Sequence, residues 1–134
     1  MKKRMTAVLL AVILLVACVG CAKKTLPKEG TYLIDVTISG GSGKASIASP
    51  AELVVFPDGT ASVTVIWSSA NYDYMLVDGE RYEPAIADGH SMFVIPVKSI
   101  HKPLEVIADT TAMSTPHEIA YTITFDAASL TPAS

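Results

Sequence analysis

Glu52-Leu53-Val54-Val55-Phe56-Pro57-Asp58-Gly59-Thr60-Ala61-Ser62-Val63-Thr64-Val65-Ile66-Trp67 sets two apolar arms on either side of a Pro-Asp-Gly turn. In the second arm Ala61, Val63, Val65 and Trp67 alternate with Ser62, Thr64 and Ile66, the period of two expected where one face of a strand is buried. A compact turn between two such arms is a hairpin signal. The same pattern recurs outward in both directions. Tyr32, Ile34, Val36 and Ile38 alternate with Thr31, Leu33, Asp35 and Thr37, and Ile119, Tyr121, Ile123 and Phe125 alternate with Glu118, Ala120, Thr122 and Thr124. Gly40-Gly41-Ser42-Gly43 and Asp78-Gly79 punctuate the runs as reversals, and Asp88-Gly89 opens the segment that follows it. Lys44–Ser49, Tyr72–Val77, Glu80–Pro84, Ser91–Val97 and Leu104–Ala108 read as further short strands, with Pro96 marking an edge or a strand end. About eight strands with turns roughly every ten residues, and no useful helical period, predict an all-β, antiparallel, immunoglobulin-like β-sandwich.

The N-terminal stretch has a different physics. Lys2, Lys3 and Arg4 precede a nearly unbroken apolar run from Met5 to Ala17, which is too short to span a bilayer comfortably and reads as an export signal over residues 1–17. Leu15-Val16-Ala17-Cys18 has the form of a lipoprotein box, so Cys18 is the expected site of lipidation, with Cys21 the alternative. That reading makes residues 18–29 a linker behind a membrane anchor, residues 30–126 the sandwich domain and residues 127–134 a flexible tail, with the domain tethered at the cell surface. No cysteine follows position 21, so the core must hold the domain without a disulfide.

Three of the ten Lys and Arg stand at positions 2 to 4, so residues 22–134 hold seven against all thirteen Asp and Glu. This acidic balance without a basic stripe excludes nucleic acid as an expected partner. The histidines at 90, 101 and 117 have no metal-ligand spacing, and no Gly-x-Ser-x-Gly elbow is present, so an enzyme is not expected.

The stretch Trp67–Tyr82 concentrates the single Trp and three of the five Tyr, which suits either a binding face or the aromatic core of a sandwich. The methionines add chemistry, because a thioether is a soft, neutral ligand for copper(I) or haem iron. Met92 lies in an apolar run and reads as a core filler, although it is also an alternative ligand. Met113 stands in a loop rich in hydroxyls, Asp109–Pro116, and Met75 between Tyr74 and Leu76 at the mouth of a hairpin.

Ile66-Trp67-Ser68-Ser69, Asn71-Tyr72-Asp73-Tyr74-Met75-Leu76-Val77-Asp78-Gly79-Glu80-Arg81-Tyr82 and the segment Ile107–Ile119 resemble the bacterial cell-surface haem-binding domains of the Shp type, relatives of the NEAT haem-uptake sandwiches. The resemblance covers most of residues 30–125. It implies haem as cofactor, Met75 and Met113 as iron ligands, and a role in haem and iron acquisition. The expected partner is a haem transporter's binding protein or another surface haem protein. Trp67, Tyr72 and Tyr74 are the aromatics expected to pack on such a disc, and Ser68, Ser69, Thr110 and Thr111 the hydroxyls expected at its propionates. Two alternatives share these residues: a copper(I) carrier using the methionine pair, and a lipid-anchored recognition module without cofactor.

Overall fold

In the computed structural model, which describes residues 25–111 and 117–133, nine strands form one antiparallel sheet. They are β1 (Gly30–Gly40), β2 (Ala51–Val55), β3 (Ala61–Ile66), β4 (Tyr72–Val77), β5 (Glu80–Tyr82), β6 (Ala85–Ala87), β7 (His90–Val97), β8 (Leu104–Thr110) and β9 (His117–Pro132). Their order across the sheet is β5-β4-β8-β9-β1-β2-β3-β7-β6, and the sheet folds over so that β4 and β5 at one end pack against β7 at the other. The result is the expected all-β sandwich, with β1 and β9 as its seam.

The alternations read from the sequence decide which faces close on each other. Tyr32, Ile34 and Val36 of β1, Ala61, Val63 and Val65 of β3, and Tyr121, Ile123 and Phe125 of β9 are all buried. They meet Leu53, Phe93, Ile95 and Val106 in one continuous apolar core. Each such side chain contributes on the order of 1.5–3 kcal/mol when fully withdrawn from water, which is how a domain without a disulfide is held. The turns follow their chemistry as well: Asp78 and Asp88 have φ of 51° and 52°, each followed by a glycine that also has positive φ, the arrangement that a tight hairpin requires.

Four expectations change. Lys44–Ser49 is not a strand; within it only Ile47 pairs, as an isolated bridge to Trp67, and the rest follows the glycine-rich turn at 40–43 as irregular chain. Residues 127–132, read as a tail, continue β9: Leu33 pairs with Thr131 and Tyr32 with Pro132. The bulge this creates is closed by Ser129, whose Oγ accepts from Asp35 N at 2.8 Å and donates to Asp126 O at 2.6 Å. Met92 is not a core filler, since it points outward and is only half-buried, paired with Ile66 and Ala85.

The fourth change lies in β4. A register shift between Tyr72 and Tyr74 against β8 marks a bulge at Asp73, and an extra residue there reverses the alternation beyond it. Tyr72, Met75 and Val77 therefore face the core, while Tyr74 and Leu76 face outward. Unbroken alternation would have kept Tyr72 and Tyr74 on one face.

Candidate functional site

Strand direction divides the loops between two ends. The chain enters the domain at Thr25–Glu29 beside the β7–β8 connection, where Ile100 N donates to Thr25 O at 2.9 Å. The other end, about 33 Å away along β1, gathers residues 41–50, residues 67–71, the start of β7, the end of β8 and the start of β9. Most of the residues singled out in the sequence meet there.

At the centre of that end is an aromatic trio. Trp67 stacks on Tyr72 with ring centroids 4.1 Å apart and planes at 22°, and meets Tyr121 edge-on at 5.1 Å and 60°. Tyr72 and Tyr121 also join through their hydroxyls. Burial in the first place, then the hydrogen bond and negative charge of Tyr121, push the Tyr72 phenol up to about 12. Trp67 is 0% exposed, and its Nε1 is a buried donor without a partner. It therefore presents no face to solvent, and Tyr72 and Tyr121 are the members of the trio that retain any exposure, at 8% and 4%.

Backbone and hydroxyl bonds fix this trio. Trp67 N donates to Ser91 O at 2.9 Å, Ser91 N to Ser69 O at 2.8 Å, and Tyr72 N to Ser91 Oγ at 3.2 Å, so the buried Ser91 clamps both aromatics. His90 donates from Nδ1 to Trp67 O at 2.8 Å. Asn71 O receives two bonds from Thr111, from N at 2.7 Å and Oγ1 at 3.1 Å. This commits the Thr111 hydroxyl that the sequence reading reserved for a propionate. Ser69 Oγ likewise accepts from Asn71 N at 3.3 Å, whereas Ser68 is exposed and bonded through its backbone to Ser46 O. Thr110 is buried at the end of β8.

The β1–β2 connection presses onto the same cluster. A Cβ at Gly40 would lie 2.5 Å from Ala120 O, and one at Gly41 would lie 3.2 Å from Ile119 Cγ2 and 3.4 Å from the Tyr121 hydroxyl. Only glycine lets the backbone come so near β9 at those φ values, +123° and +60°.

Of the residues named from sequence, the fold brings together Trp67, Ser69, Tyr72, Thr110 and Thr111. Tyr74 is parted from them by the Asp73 bulge. It sits on the outer face, where its hydroxyl donates to Glu118 and the Arg81 guanidinium lies 4.0 Å over its ring. Met75 is on the inner face one step deeper than Tyr72, 0% exposed and paired with Ala108. Met113, Cys18 and Cys21 lie outside the described residues. Tyr121, Ser91 and His117 were missed as site residues. Tyr121 could have been found as the aromatic nearest the polar loop in its apolar file. His117 stands on the same file at the exposed rim, opposite Thr110. Ser91 carries no local signal, since only tertiary contact reveals it. Among the described residues no three His, Cys, Asp or Glu come together as a metal site.

No family model matches the chain, and no curated protein does. Among solved structures it is similar to the NEAT5 domain of IsdX2, a B. anthracis hemophore in complex with heme, at 15% identity and a TM-score of 0.58, covering 80% of this chain and 99% of that one. A substituted form of the same NEAT5 domain, also in complex with heme, matches at 16% identity and the same TM-score, with 81% and 99% coverage. Identity at this level speaks for architecture. The chain has the NEAT-type sandwich fold.

Proposed function

We propose that this chain is a cell-surface lipoprotein that binds haem at the aromatic end of its sandwich and passes it along an iron-acquisition route. The observation that carries the reading is the fold: two structures that match nearly end to end are haem complexes. Tyr72 and Tyr121, backed by the buried Trp67 and flanked by Ile119, supply the aromatic wall for such a disc once the end opens to admit it. The chain enters the domain at the far end, so a lipid anchor at Cys18, or alternatively Cys21, holds the aromatic end away from the membrane.

Met113 and Met75 are the proposed iron ligands. Two thioethers would fill both axial positions of a bound haem and leave none for oxygen chemistry, which suits a carrier. Met113 lies outside the described residues, in the sequence between the ends of β8 and β9. Met75 lies behind Tyr72, so its sulfur comes into play only if the Tyr72–Tyr121 pair parts.

Titration of residues 22–134 with haemin tests this, since every described strand lies within that segment. The expected result is one-to-one binding with a low-spin six-coordinate spectrum, lost in Met113→Leu and in Met75→Leu, substitutions that keep side-chain volume. Loss in His117→Ala with an intact spectrum in Met75→Leu would move the second ligand to the exposed rim of β9. Stoichiometric copper(I) binding without haem binding would establish the copper carrier. Binding of neither would leave the lipid-anchored recognition module as the better account.

A further inference from the structure

We propose that the outer face of β4, β8 and β9 is a docking surface for a protein partner that presents a basic–apolar–basic row in extended conformation. The pairing registers stack three cross-strand rows on this face. Tyr74, Asp109 and Glu118 form the upper row, Leu76, Ile107 and Ala120 the middle one, and Glu105 and Thr122 the lower one, with Asp78 at the adjoining turn. An apolar strip thus runs between two acidic rows. The lower part of it is a cleft of about 400 Å³ with Leu76, Ile107 and Ala120 on its floor and Asp78 and Glu105 at its side.

Four exposed carboxylates, those of Asp73, Asp78, Glu105 and Glu118, share this face or its rim around the buried Asp109. Of the cations near them, Arg81 pairs with Glu83 at 2.5 Å and lies over Tyr74, Lys98 reaches Asp78 at 3.4 Å from the next loop, and Lys102 lines a neighbouring cleft beside Asp78 and Glu105. The crowding shows in Asp109, which is held above the ordinary carboxylate range. A hydrogen bond donated by the protonated Asp109 carboxyl to Asp73 is the main cause, followed by burial and the negative charge of Asp73 and Glu118. On the opposite sheet the outward residues Ser62, Thr64, Ile66, Met92 and Val94 carry no charge and Glu52 is the acid beside them, so the denser acidic cluster lies on the side of β4, β8 and β9.

This pattern selects its occupant. A second copy would set acidic rows against acidic rows, and an anionic bilayer would be repelled in the same way. Outward rows on a strand repeat every two residues, about 6.6 Å, so a segment of the form Lys-x-Leu-x-Lys lying along the strands brings its cations over both acidic rows and its Leu over the strip. The face lies outside the aromatic end, so the surface stands whether or not haem binds there.

The test uses the full chain in zwitterionic nanodiscs and a capped Lys-Thr-Leu-Thr-Lys peptide, with amide NMR shifts as the readout. Shifts are expected along β4, β8 and β9. The double variant Glu105→Gln/Glu118→Gln should weaken binding by about tenfold or more, while Asp35→Asn/Glu52→Gln, the same change in net charge on exposed residues elsewhere, should leave it unchanged. Leu76→Thr should weaken binding without altering its salt dependence. Equal losses in the two double variants, equal binding of a peptide with Glu in place of Lys, shifts centred on another face, or no shifts at millimolar peptide would each overturn the proposal.

Discussion

Met75→Ala should be among the costliest single substitutions in this domain, because the Asp73 bulge turns a residue that unbroken alternation would place on the surface into core. Met75 is 0% exposed and packed in the central apolar cluster. Truncating a fully buried Met to Ala costs about 2–5 kcal/mol, the lost transfer energy plus the cavity left behind. That is a large part of the roughly 5–15 kcal/mol that holds a typical domain. Met75→Leu keeps volume and apolarity and should cost less than about 1.5 kcal/mol. Met92→Ala, on the half-buried outer face of β7, should cost about 1 kcal/mol. Urea unfolding of the haem-free domain, followed by far-ultraviolet circular dichroism, is the assay. With a slope of about 2 kcal/mol per molar urea, a 3 kcal/mol loss lowers the midpoint by about 1.5 M. If Met92→Ala proves costlier than Met75→Ala, the phase of β4 is wrong, and with it the placement of Tyr72, Tyr74 and the outer acidic rows. The pair of Met75 variants also separates two roles, since a filler tolerates Leu in both stability and haem spectrum, whereas a ligand tolerates it only in stability.

Gly40→Ala should destabilise the domain by more than about 1 kcal/mol, since its Cβ would meet Ala120 O at 2.5 Å in a left-handed backbone, and thermal unfolding will show it. Gly59→Ala, at φ +89° with open space around it, should cost about 1 kcal/mol from backbone strain alone. Absorbance titration of the tyrosines should show two phenols ionising at about 12 in the folded chain. Tyr72→Phe should remove the one raised mainly by burial, and Tyr74→Phe the one raised mainly by its bond to Glu118. For Asp109 the folded pKa lies above the unfolded value, so its contribution is fully present at low pH and is lost as pH rises through the folded value. Asp109→Asn should therefore flatten the fall in thermal midpoint between the acid range and neutrality, and an unchanged profile would rule out the shared proton.

Local sequence determined a good deal about this protein. Alternation in Thr31–Ile38, Ala61–Trp67 and Ile119–Phe125 named the inward residues of β1, β3 and β9, because a strand with one buried face has no other way to distribute apolar side chains. Asp78-Gly79 named its turn, because few residue pairs accept two positive φ values in succession, and Asp88-Gly89 takes the same backbone form in the structure. Trp67 and Tyr72 were legible as members of one aromatic group, in which Tyr74 was included with them. The side they face was decided only by tertiary structure. A bulge is a mismatch in count between two strands, and nothing in Tyr72–Val77 alone announces that β8 opposes it with one residue fewer at Asp73. For the same reason Lys44–Ser49 could look like a strand and residues 127–132 like a tail: whether an extended segment is paired depends on which neighbour is there, and here β1 pairs with β9 down to Pro132. Ser91 as clamp, Tyr121 as third aromatic, and the acidic rows flanking Leu76, Ile107 and Ala120 all arise from the order β4-β8-β9 and the closure of the sandwich. These are contacts between residues far apart in the chain, which local pattern does not encode.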